Sequence, residues 1–202
     1  MNNRELTVLF LTMIIMLIVS GIAPYDRLTW LLEVVPVLIA IPILVATYFR
    51  FQFTPVIYRL ILLHAFILML GAHYTYERTP LGFWVQDFFH LAPNPYDRLG
   101  HFIQGFVPAM IVREILLRCS PLRPGKWLFF LVTTVCLSIS ACYELIEWWA
   151  AVILGESAQA FLGSQGDPWD TQWDMLMALL GALCSQLLLS GLQDKQLKKL
   201  KS

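Results

Sequence analysis

Two stretches of the chain place ligand-type side chains at helical spacing: Asn94-Pro95-Tyr96-Asp97-x-x-x-His101 and Asp167-Pro168-Trp169-Asp170-x-x-x-Asp174. Asn and Asp are preferred helix caps, Pro suits the first helical position, and an acid in the first turn complements the helix dipole. Both stretches therefore predict helix starts. Residues four apart share a face, so Asp97 with His101 and Asp170 with Asp174 form two polar faces just inside two apolar helices. A third pair, Glu144 and Glu147, lies three apart with no Lys or Arg within a turn. Carboxylates and an imidazole converging from separate helices are the donor set of a divalent-cation site. The same groups also suit proton transfer or plain hydrogen bonding within a bundle, and first-turn acids have a structural use of their own.

What must position these groups is a membrane bundle. The chain has 202 residues, 58% hydrophobic and 14% charged, with mean hydropathy +0.66. Soluble domains carry about 25% charged residues. A span needs roughly 20 mostly apolar residues. Six stretches answer that description, about 6–23, 31–49, 56–74, 96–118, 127–153 and 172–191. The expected architecture is all-α, one polytopic transmembrane domain over 1–202 with six spans. Pro36 and Pro42 fall inside the second stretch and predict kinks, because neighbouring helices can satisfy the backbone groups a proline frees. A carboxylate in hydrocarbon costs about 2.5–3.5 kcal/mol, so Glu144 and Glu147 should face a protein interior or a water-filled cavity.

Orientation follows from the basic residues. Of the fourteen Lys and Arg, only Arg27, Arg78 and Arg98 fall on the first, third and fifth connections; the other eleven fall at the termini and on the second and fourth. By the positive-inside rule both termini are cytoplasmic. The acids divide the other way, three against eleven, so a net charge of zero conceals a polarised molecule. The two helix starts then share the outer surface, and Glu144 and Glu147 lie near the outer end of the fifth span. Asp97, His101, Glu144, Glu147, Asp170 and Asp174 can meet there.

Other features have structural readings. The first span, Arg4 followed by a long apolar run, is read as uncleaved, since a secretory core is usually about 7–15 residues. Four cysteines on spans and the cytoplasmic side imply no disulfide framework. The basic residues are dispersed over short loops, which excludes a nucleic-acid surface. Trp148, Trp149, Trp169 and Trp173 with Tyr74, Tyr76 and Tyr96 predict an aromatic belt at the outer interface. Phe83 to Leu91 should lie in that interface as a short helix. Arg113 should snorkel to the cytoplasm, and Glu114 should pair with Arg118. Gly100, Gly105 and Gly181 predict close helix packing. The small, polar connection 155–167 could close over the site.

The combination Tyr96-Asp97-Arg98-Leu99-Gly100-His101-Phe102, Tyr143-Glu144-Leu145-Ile146-Glu147-Trp148 and Gly166-Asp167-x-x-Asp170-Thr171-x-x-Asp174 resembles the YjdF-like inner-membrane family over essentially the whole chain. The order of an Asp-x-x-x-His-Phe start, a Glu-bearing helix and an Asp-x-x-x-Asp start is also distantly similar to VanZ-like membrane proteins. There the Glu is followed three residues later by Gln, and an Asn often lies a turn further along the last helix; here Glu147 takes the Gln position. The first resemblance implies a bacterial inner-membrane location and no established activity.

The expected function is a periplasm-facing cation site acting, as hydrolase or transferase, on a lipid-linked or envelope substrate. His101, Glu144, Glu147 and Asp174 would hold Mg, Mn, Ca or Zn; Asp97 would orient His101, and Asp170 would serve as base or second-metal ligand. Two other classes stay open: a cation- or proton-coupled transporter or solute-binding protein, and a structural partner of another membrane protein. Polar groups restricted to one side favour a site over a pathway. Membrane lipids are the expected surroundings.

Overall fold

The computed structural model describes residues 2–155 and 159–201. Its long helices are α1 (Asn3–Ser20), α2 (Arg27–Thr47), α3 (Pro55–Tyr74), α5 (Tyr96–Cys119), α6 (Lys126–Leu154) and α8 (Asp170–Lys201). Shorter pieces are a 3-10 turn (Tyr76–Arg78), α4 (Pro80–Phe89) and α7 (Gln159–Leu162), and no strand occurs among the described residues. Of the 155–167 connection expected to close over the site, Glu156, Ser157 and Ala158 lie outside the described residues.

Helices α1, α2, α3, α6 and α8 are each long and apolar enough to cross a membrane. Helix α5 has the length, 24 residues, or about 36 Å at 1.5 Å per residue. It falls short in composition, because it carries Asp97, Arg98 and His101 near one end and Arg113, Glu114 and Arg118 near the other. Its neighbours compensate. α5 packs most extensively on α8 and is flanked by α6 and α3. Its buried side chains therefore answer to protein rather than lipid.

Local sequence explains the boundaries. Asp26 starts α2 by accepting a hydrogen bond from the Thr29 amide at 2.7 Å. Asn94 and Asp167 act alike: the Asn94 side chain accepts from the Tyr96 amide at 3.0 Å, and the Asp167 side chain from the Trp169 amide at 2.9 Å. Pro36 and Pro42 are accommodated inside an uninterrupted α2. The polar tail expected beyond residue 191 is helical, so α8 runs on to Lys201.

The α5–α8 seam depends on small residues. A Cβ on Gly105 would run into the Ala178 carbonyl, and one on Gly181 into the Phe102 carbonyl, so the two backbones touch where only glycine allows it. Gly100 serves a different contact, the ring of Tyr76. Elsewhere α1, α2 and α3 enclose an apolar cluster around Met13, Val34, Val37 and Met69. The apolar face of α4 points outward, with Phe83, Trp84, Phe88 and Phe89 exposed.

Three expectations need correction. Tyr76 and Tyr96 do not join the aromatic belt; both are buried in one core cluster, and the Tyr96 hydroxyl donates to the Ile67 carbonyl at 2.9 Å. A phenol whose hydroxyl finds a backbone acceptor is core material. Arg113 does not snorkel out. It is buried, donating to Gln193 and pairing with Asp194, each at 2.8 Å.

Candidate functional site

The two helix starts are tied together before any catalytic group is considered. Arg98, in the first turn of α5, pairs with Asp167 at 3.0 Å, and Gln165 exchanges two hydrogen bonds with the backbone of Asn94. These contacts fix the registers of α5 and α8 against each other. They point Asp97, His101 and Asp174 at one spot, where one ligand atom from each lies within 4.8 Å of the other two.

His101 is the hub. Its Nε2 lies 3.7 Å from Asp97 and 3.9 Å from Asp174, while Nδ1 lies 3.7 Å from Glu144 on α6. These separations exceed a hydrogen bond. Two ligand atoms held about 2.0–2.2 Å from one ion, at octahedral or tetrahedral angles, stand about 2.8–3.6 Å apart. The spacing around Nε2 is slightly wider than that, so an ion between the groups would draw them in by about a few tenths of an ångström. Burial sharpens the point: His101 Nδ1, Glu144 Oε1 and Asp174 Oδ1 are sealed from solvent with no hydrogen-bond partner among the described residues. Buried polar atoms are nearly always satisfied by protein, water or an ion, so three such atoms side by side call for an explanation.

Not every expected residue joins this group. Asp97, read as an orienting group, stands with Asp174 on the Nε2 side of His101. Glu144, read as a ligand, stands on the Nδ1 side. Glu147 is buried outside the three-residue group, on the wall of a cavity that Asp97 and His101 also line. Asp170 is half-buried at the start of α8, one turn above Asp174.

That cavity, about 240 Å³, is enclosed by α2, α3, α5 and α6, and Glu33, His64, Tyr76, Gln104, Tyr143 and Glu147 line it together with Asp97 and His101. Glu33 was not foreseen as a site residue. It is 4% exposed and accepts a long hydrogen bond, 3.4 Å, from the Tyr143 hydroxyl. A lone Glu within an apolar span is itself a signal, the same one that marked Glu144 and Glu147. Burial and the nearby Glu33 hold the Tyr76 hydroxyl well above its ordinary range, so it stays a neutral donor. The other histidines divide. His64 faces the cavity, whereas His73 is spent structurally, its Nδ1 2.9 Å from the Ser20 carbonyl.

The family described as "Predicted membrane protein (DUF2238)" matches residues 5–195. This chain belongs to that family. It is also 53% identical to the inner membrane protein YjdF of Escherichia coli (strain K12) over 189 residues, 94% of this chain and 90% of the relative. The protein is therefore a multi-pass inner-membrane protein of the YjdF-like kind. These matches carry the first of the two resemblances and leave the VanZ-like one unsupported. No solved structure gives a significant match.

Proposed function

We propose that this protein spans the inner membrane six times with both termini in the cytoplasm, and that it holds a divalent cation in a periplasm-facing centre. The cation would serve hydrolysis or group transfer on a lipid-linked or envelope substrate. One observation carries the reading: Asp97, His101 and Asp174 converge from two helices to within 4.8 Å, beside buried polar atoms that have no partner. The eleven-to-three division of basic residues supports the orientation. Burial of α5 among α3, α6 and α8 supports counting it as the sixth span.

In this scheme Asp97, Asp174 and His101 Nε2 hold the ion, and Glu144 orients the ring through Nδ1. Oxygen ligands with one imidazole suit Mg, Mn, Ca or Zn. Such a cation would supply a coordinated water of lowered pKa and a Lewis acid for an ester oxygen, and Asp170, one turn above Asp174, would be the group available to accept the proton. A transport pathway is the weaker alternative. Between Gln104 and the closed network of Arg113 and Glu114, the inward-facing side chains of α5 are apolar, Val107, Ala109 and Met110, each 0% exposed, so cavity polarity is interrupted midway.

The test is metal content. Wild-type protein purified without chelator should retain about one divalent ion per chain. Asp174→Asn and His101→Gln should lose it while eluting as the wild type does. Equal content in all three samples would overturn the reading.

A further inference from the structure

Beside the proposed cation centre, the 240 Å³ cavity has a chemistry of its own. Glu147 projects into it from α6, 7% exposed, with no hydrogen bond or ion pair among the described residues. Glu33 approaches from α2, its carboxyl beside the hydroxyls of Tyr143 and Tyr76. The rest of the polar wall is Tyr76, Tyr143, His64 and Gln104, with Asp97 and His101 of the proposed centre along one side. No Lys or Arg lines the space. Arg98, the basic residue in the first turn of α5, is committed to Asp167 and lies 5.1 Å over the Trp173 ring.

Size and charge narrow the occupant. Water occupies about 30 Å³ in the liquid, so the space is several times larger than one small ion requires. An anionic group placed between Glu33 and Glu147 would meet a carboxylate on each side, with no Lys or Arg among the lining residues. A positively charged organic group would meet carboxylates for its charge and ring faces for its carbon-bound hydrogens, the combination that recognises ammonium ligands.

We infer that the cavity lined by Glu33, Glu147, Tyr76 and Tyr143 binds an organic ammonium group. On the cation-centre reading above, on which this second step rests, that group is the recognition end of the substrate. The amine can belong to a lipid headgroup or to a free small molecule. The recognition chemistry is shared.

The experiment titrates ethanolamine into the purified full chain by calorimetry, both chelator-treated and divalent-loaded, in nanodiscs of phosphatidylglycerol with or without phosphatidylethanolamine. Saturable binding, weakened at least tenfold in Glu147→Gln and in Glu33→Gln with metal content unchanged, is the expected result. If phosphatidylethanolamine abolishes the ethanolamine signal by competition, the source is a headgroup; if binding is the same in both lipids, the source is a free amine. Either supports the cavity's assignment. A wild type that binds neither ethanolamine nor tetramethylammonium, or variants that bind as the wild type does, overturn it. Should the variants fail to fold, the wild type suffices: ethanolamine must slow carbodiimide modification of Glu147, and unchanged labelling overturns the inference. Loss of metal in Asp174→Asn with ammonium binding intact would leave both readings standing. Absence of metal from the wild type with ammonium binding intact would remove the cation centre alone.

Discussion

Glu114 and Asp174 are buried alike on the two helices of one seam, and their surroundings are opposite. Glu114 accepts from the Thr54 amide and hydroxyl, from Arg118 and from Gln193, while Arg113 is held by Gln193 and Asp194. Two acids there face two arginines, and the charges cancel. At the other end Asp97, Glu144 and Asp174 stand around one histidine, with Glu33 and Glu147 on the adjoining cavity wall, and Glu144 Oε1 and Asp174 Oδ1 have no hydrogen-bond partner among the described residues. Burial by itself therefore does not mark a site. A closed ionic network is architecture, and breaking it leaves a buried charge without compensation. An open one costs stability, and that cost is sustained where something else completes it.

The contrast can be broken at several places. The largest effect expected is in the closed network: Glu114→Gln should lower stability by about 3–5 kcal/mol, because Arg118 loses its buried counterion. Unfolding in mixed micelles measures it, and a tolerant variant would erase the distinction between the two ends. Next comes the seam on which both ends depend. Gly105→Ala or Gly181→Ala forces backbone apart and should cost about 1–3 kcal/mol, seen as a lower midpoint in the same assay.

The open cluster should respond with the reverse sign. In chelator-treated protein, Asp174→Asn should cause no loss of stability and a gain of up to about 1–3 kcal/mol, the usual cost of an unsatisfied buried group. Adding divalent cation at a hundred times its Kd should stabilise the wild type by about 2.7 kcal/mol and leave that variant unmoved. A thermal scan with and without ion separates these outcomes. If Asp174→Asn is instead as damaging as Glu114→Gln, the outer cluster is architecture as well.

The smallest effect lies outside both clusters. Asp26→Ala removes the cap of α2 and should cost about 1 kcal/mol. The Thr29 amide holds the Asp26 carboxyl below its ordinary 3.8. A lowered folded pKa stabilises above the unfolded value and ceases to as pH falls through the folded one. The wild type should thus lose its advantage over Asp26→Ala only as the medium is acidified below about pH 4. A constant difference across that range would argue against the cap.

How far the site was legible depends on whether its signal was local. The paired starts were legible because capping is decided within a few residues, and Asn94 and Asp167 both accept from the amide two positions on. His101 with Asp97, and Glu144 with Glu147, were legible because helical spacing and the cost of charge in hydrocarbon need no partner's coordinates. Glu33 lacked any such companion along α2, and only the approach of Tyr143 from α6 reveals its place. Tyr76 and Tyr96 were misassigned for a related reason: an aromatic near a helix end suits an interface, unless a distant carbonyl such as that of Ile67 claims its hydroxyl.

Composition and periodicity alone determined an all-helical membrane chain, its helix starts and the acids that must avoid lipid, because those depend on solvent transfer and on neighbours a turn away. Which nitrogen of His101 meets Asp174 and which meets Glu144 was decided only in three dimensions. So was the pairing that silences Glu114 while leaving Glu147 unanswered. Those distinctions arise from contacts between helices remote in sequence, set by the close glycine seam of α5 on α8, and no local pattern encodes them.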